Sequence, residues 1–135
     1  METTITEHAN AALFRKGYAA FNSGDMDTIR GLFAADIVWH PSGRSRFSKE
    51  RHGIDDTLGS FLEIMQATNG TFHLDVHDIL ANDTHAVALV TSHWEHEGTA
   101  HQDLGSHVVH ITDGKVIESW FFDFNPYLLD EQFPK

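Results

Sequence analysis

Cysteine is absent from this sequence, and that removes whole classes of chemistry: disulfides, thiolate nucleophiles and cysteine-ligated zinc. The absence also fits a reducing compartment. Basic residues are scarce, with nine Lys and Arg against twenty Asp and Glu and a formal net charge of −11. A surface of that sign repels a phosphate backbone, so nucleic acid is excluded as a partner. No apolar run approaches the roughly 20 residues that cross a bilayer. Met1 to Asn10 is polar with two early acids, unlike a secretion signal, so a cytoplasmic protein with no membrane partner is expected. Phosphate-binding loops, dinucleotide fingerprints and the GxSxG elbow are missing as well, which removes nucleotide chemistry and serine hydrolysis.

What is there suits one folded unit. The chain has 135 residues, 41% of them hydrophobic, including ten Phe, three Trp and two Tyr. That is enough for one core and too little for two, so residues 1–135 are expected to form a single domain.

Hydrophobic spacing divides the chain into helices first and strands after. Thr4-Ile5-Thr6-Glu7 reads as a capping box opening a helix. Leu13, Phe14, Gly17, Tyr18 and Phe21 recur at three- and four-residue spacing until Asn22-Ser23-Gly24 ends that helix. Asp25 can cap a second, Met26 to Phe33, with Ile29, Leu32 and Phe33 on one side. Ile37 to His40 is a short strand, and the polar, basic stretch from Pro41 to His52 is a loop. A third helix runs from Ile54 to Ala67 through Leu58, Phe61, Leu62 and Met65, stopped by Asn69-Gly70. Beyond it, Asn82-Asp83, Glu97-Gly98 and Asp113-Gly114 punctuate four strands, about 72–80, 85–96, 99–111 and 115–124. Segregation of helices from strands is an α+β signature with an antiparallel sheet, since parallel βαβ units would interleave them.

Three stretches together resemble the SnoaL-like branch of the nuclear transport factor 2-like superfamily, which also contains ketosteroid isomerases and limonene epoxide hydrolases. Ala20 to Asp27 looks like its helix-break-helix opening. Leu32 to His40 looks like its entry into the first strand, and Asp113 to Trp120 like its last hairpin. The resemblance implies a cone: a curved antiparallel sheet wrapped by three N-terminal helices around a pocket for a small hydrophobic molecule. It implies, by analogy of fold alone, a cofactor-free isomerase, cyclase or hydrolase using acid/base chemistry. The alternative on the same scaffold is a non-catalytic ligand-binding or assembly module.

Within that frame Trp39, Phe61, Met65 and Trp120 are expected walls of the pocket. Asp123, set in the run Trp120-Phe121-Phe122-Asp123-Phe124, is the expected general base, because an acid among aromatic rings has its charged form desolvated. In the resembling enzymes the acid falls near the end of the last strand, which here is either Asp123 or the position held by Asn125. A two-residue turn at Asp113-Gly114 sets His107 opposite Trp120 and His110 opposite Ile117. His107 is the preferred proton carrier. Strict alternation then puts His107 on the face of Trp120 and Asp123 on the other unless a bulge intervenes. His40 and Arg44 are expected at the mouth, where Arg44 could hold an anionic or enolate oxygen. A homodimer is expected to cover the outer face of the sheet. His93, His96 and His101 bracket the Glu97-Gly98 turn, with His73 and His77 on the neighbouring strand. No HExxH, EF-hand or facial-triad spacing appears, so no metal site is expected.

Overall fold

The computed structural model describes residues 7–135; of the capping box read at Thr4 to Glu7, Thr4, Ile5 and Thr6 lie outside that range. The helices form where the spacing puts them. The first, α1 (Ala9–Ser23), is capped by His8, whose Nδ1 accepts the N–H of Asn10 at 3.0 Å. It ends at Gly24, which takes φ 72° and thereby closes the helix with left-handed backbone that glycine adopts without penalty. Asp25 caps α2 (Met26–Leu32) by accepting the N–H of Thr28. After β1 (Phe33–His40) and the short β2 (Arg51–His52), α3 spans Ile54–Ala67. Four strands follow: β3 (His73–Ala81), β4 (His85–His96), β5 (Thr99–Thr112) and β6 (Lys115–Asp123). The Leu- and Phe-rich tail adds a short α4 (Tyr127–Gln132).

These strands make one six-stranded sheet in the order β2-β1-β6-β5-β4-β3. The β3 to β6 meander is antiparallel throughout, whereas β1 runs parallel to β6 and antiparallel to β2. Part of the stretch read as a loop is therefore an edge strand, too short for its pattern to register in the sequence. The β4–β5 and β5–β6 turns carry positive φ at both central residues, Glu97-Gly98 and Asp113-Gly114, as a two-residue hairpin turn requires.

Helix α1 packs on β3 and β4, and α3 on β1 and β2. The core they enclose includes Phe14, Phe21, Ile29, Ile37, Leu58, Phe61, Val109 and Val116. A β-bulge in the last hairpin sets the chemistry of the inner face. Ile111 pairs with Val116 but His110 pairs with Glu118, so Ile117 is the extra residue and every later partner moves by one. His107 consequently faces Phe121 rather than Trp120, while Gly105 faces Asp123. The bulge turns Ser119, Phe121 and Asp123 to the side of His107 and sends Trp120 to the outside. Gly105 makes room for this arrangement: a Cβ there would come within 2.9 Å of the Phe121 ring.

Candidate functional site

An apolar cavity of about 130 Å³ lies between the inner face of the sheet and the helices. Helix α1 supplies Phe14, Tyr18 and Phe21, β1 supplies Trp39, and α3 supplies Ser60, Phe61 and Ile64. His107, Phe121 and Asp123 come from the hairpin, and Ser42, Ser45, Phe47 and Leu129 from the segments around the mouth. The aromatic walls interlock edge to face: Trp39 lies 4.9 Å from Phe61 and 5.1 Å from the His107 ring. Such contacts hold ring positions more tightly than area burial alone.

Two polar constellations interrupt this lining. In the first, His107 is buried with both ring nitrogens engaged: Nδ1 meets the Tyr18 hydroxyl at 2.6 Å and Nε2 meets the Ser119 hydroxyl at 2.5 Å. Desolvation pushes the imidazole pKa down to about 3, and burial likewise holds the Tyr18 phenol well above its ordinary value. At neutral pH the chain Tyr18–His107–Ser119 is therefore uncharged. It has two complementary proton arrangements. If Tyr18 donates to Nδ1, then Nε2 donates to Ser119; if Ser119 donates to Nε2, then Nδ1 donates to Tyr18 and the phenolic proton is released to the cavity.

In the second, Asp123 sits at the end of β6 with its Oδ2 accepting the Ser42 hydroxyl at 2.6 Å. Desolvation pushes its pKa up to about 6; the Ser42 bond opposes that shift, and the nearby charges of Asp103 and Asp130 add to it. Asn125, the other place for the acid, does not line the cavity and its N–H donates to Asp103.

Of the residues singled out in the sequence, Trp39, Phe61, His107 and Asp123 meet at this cavity. His40, Arg44, Met65 and Trp120 do not line it. Trp120 and His40 stack on the outer face of the sheet, ring planes 10° apart, with His40 bonded to Glu50 at 2.6 Å and Glu118 at 2.7 Å. Both corrections have a register cause. The bulge displaces Trp120, and β1 pairing sets His40 beside Trp120 while Trp39 faces inward beside Ser119. Arg44 is exposed in the mouth loop, its N–H donating to Asp130. Met65 packs against the core one helical step from the lining position taken by Ile64. The residues not foreseen are Tyr18, Ser42 and Ser119. Only Tyr18 carried a signal, a hydroxyl on the otherwise apolar stripe of α1.

The outer face carries much of the histidine. His73 and His93 stack across β3 and β4, and His85 and His110 across β4 and β5, each pair with centroids 4.7 Å apart. Among the described residues no helix is long and apolar enough to cross a membrane.

A six-stranded curved sheet with helices packed on its inner face is the nuclear transport factor 2-like architecture. The family model for the SnoaL-like domain matches residues 14–119, and the chain belongs to that family. Among solved structures it is similar to Bal32a from a soil-derived mobile gene cassette, at 31% identity and TM-score 0.88, covering 93% of this chain and 96% of that one. It shares the fold of IdmH of Streptomyces antibioticus, to which a polyketide cyclase role has been ascribed. That likeness is 21% identical with TM-score 0.74, covering 87% of this chain and 94% of the other. The uncharacterised protein Rv0034 of Mycobacterium tuberculosis is 27% identical over 78 residues, 58% of this chain. The match spans 60% of the length of that curated relative.

Proposed function

We propose that the protein is a cofactor-free enzyme that does acid/base chemistry on a small, mostly apolar carbonyl substrate, in the isomerase, cyclase or hydrolase class. A single domain over residues 1–135 houses the site. Asp123 is the base. Its proton affinity near neutrality lets it be ionised at pH 7 and still hold a proton abstracted from carbon. Among the described residues Ser42 is the only side chain bonded to its carboxylate, at Oδ2, which leaves Oδ1 for that proton.

The substrate oxygen is held by the Tyr18 hydroxyl, released toward the cavity when His107 donates to it. His107 thus works as the proton carrier behind Tyr18 rather than as a free base, because a nitrogen with a pKa of about 3 is a poor acceptor at pH 7. Charge developing on an enolate oxygen would meet a preorganised donor in a water-poor site, where such bonds are strongest. Trp39, Phe61 and Phe121 form the apolar bed. A hollow of about 130 Å³ suits one ring, being close to the roughly 150 Å³ cavities that take a benzene.

The observation that carries this reading is the convergence of a desolvated carboxyl and a neutral Tyr–His–Ser chain on one apolar cavity. The test is solvent exchange. Monocyclic ketones incubated with the protein in D₂O should take up deuterium at the carbon beside the carbonyl, and Asp123→Asn should abolish the uptake. Binding of those ketones without any exchange would favour the non-catalytic receptacle instead.

The reading also includes a cytoplasmic homodimer formed through the outer face of the sheet. Exposed Leu80, Leu89, Leu104 and Phe122 support it, since apolar side chains of that size on one face call for a cover.

A further inference from the structure

On the outer face, away from the cavity, His73, Asp75 and His93 bring one ligating atom each to within 4.8 Å of one another, the one such group of three among the described residues. We infer that these three side chains form a binding site for a borderline divalent transition ion, of the zinc, nickel or copper(II) class, that ties the edge strand β3 to β4.

The backbone prepares this site. His73 and His93 are direct cross-strand partners, so their Cβ atoms start about 5 Å apart, and Asp75 lies two residues along β3 on the same face. The Nδ1 of His73 lies 3.1 Å from the Thr71 carbonyl oxygen, which can only accept. Nδ1 therefore carries the proton and Nε2 presents the lone pair, the orientation that metal-binding histidines obtain from an outer partner. The Nε2 of His93 faces the Asp75 carboxylate at 2.9 Å. A tetrahedral ion bonded at about 2.1 Å holds its ligand atoms about 3.4 Å apart. Replacing the shared proton by metal thus asks for about half an ångström of movement between His93 and Asp75, and for the stacked rings to turn toward a common point.

Two imidazoles and one carboxylate select against calcium and magnesium, which require oxygen cages. The sequence hid the site because a bulge at His77 and the strand pairing decide which histidines meet. His77, expected beside His73, falls at the register shift between Val76 and Asp78 and belongs to no such group. The His85–His110 pair supplies an internal control: it is stacked in the same way at 4.7 Å, but no carboxylate joins it in a group of three ligating side chains, the Glu118 opposite His110 being bonded to His40 instead.

Calorimetric titration of the full chain with zinc chloride, and separately nickel chloride, in a non-coordinating buffer tests the assignment. One ion per chain is expected. His73→Ala, Asp75→Asn and His93→Ala should each weaken binding by about tenfold or more, whereas His85→Ala and His110→Ala should not. In the unsubstituted chain, zinc should shift the ring resonances of His73 and His93 before those of the other histidines. Binding that survives His73→Ala and His93→Ala, binding that is lost on His85→Ala, or no binding at all would each overturn the site. The ring resonances decide the matter even if a variant fails to fold.

Discussion

Ser42 and Asp123 hold each other twice: the Ser42 hydroxyl donates to the Asp123 carboxylate at 2.6 Å, and the Asp123 backbone N–H donates back to the same oxygen at 3.0 Å. A residue of the mouth loop thereby both positions the acid and sets its proton affinity. Because the hydroxyl bond stabilises the ionised form, Ser42→Ala should move the Asp123 midpoint upward from about 6. The rise of deuterium exchange with pH should shift upward by the same amount.

Asp123→Asn should lose turnover and gain stability. The carboxyl binds its proton more tightly in the folded state, about 6 against an unfolded 3.8, so folding is favoured at low pH and penalised as pH rises through 6. The penalty above that point is at most about 3 kcal/mol. Thermal melts at pH 8 should therefore place the variant above the parent, with the difference closing near pH 4. His107 has the opposite sign: its folded pKa of about 3 lies below the unfolded 6.5, so stability is lost as pH falls below 6.5. The two slopes offset one another between pH 4 and 6 in the parent. Removing Asp123 should expose the acid sensitivity of His107 in that window.

Tyr18→Phe removes the hydroxyl that meets His107 Nδ1 and leaves a buried nitrogen without its partner. The expected cost is about 1–3 kcal/mol in a chemical denaturation series. If Tyr18 holds the substrate oxygen, exchange should fall by about a hundredfold or more, with a smaller change in substrate binding. Equal losses in both would mark Tyr18 as a packing residue.

Sequence patterns located most of the fold, and the reasons differ by element. Helix α3 was legible to the residue because its apolar spacing and the Asn69-Gly70 stop agree, and the Asp113-Gly114 turn fixed the last hairpin. The inner-face pair His107 and Asp123 was legible only as alternatives, because one bulged residue, Ile117, decides which faces the two strands share. Bulges leave no periodic trace. Ser42 and Ser119 were illegible for a different cause: a serine gains meaning here from a partner 81 or 12 residues away. The parallel pairing of β1 with β6 is likewise long-range, brought about by a crossover rather than a turn.

Leu104 and Phe122 are 59% and 53% exposed on the outer face. Leu104→Arg should turn a dimer into a monomer in sedimentation at micromolar concentration while leaving the far-UV spectrum unchanged, since that side chain packs on nothing within the chain's own core. A parent that sediments as a monomer would rule out the dimer.

The proposed chemistry needs a carboxyl in the cavity that takes a proton near neutrality. Carbon NMR of the Asp123 side-chain carboxyl, followed from pH 3 to pH 9 in the ligand-free protein and assigned by its loss in Asp123→Asn, decides whether Asp123 is that group. A midpoint near 6 is predicted. A midpoint near 3.8, the ordinary value, would contradict it.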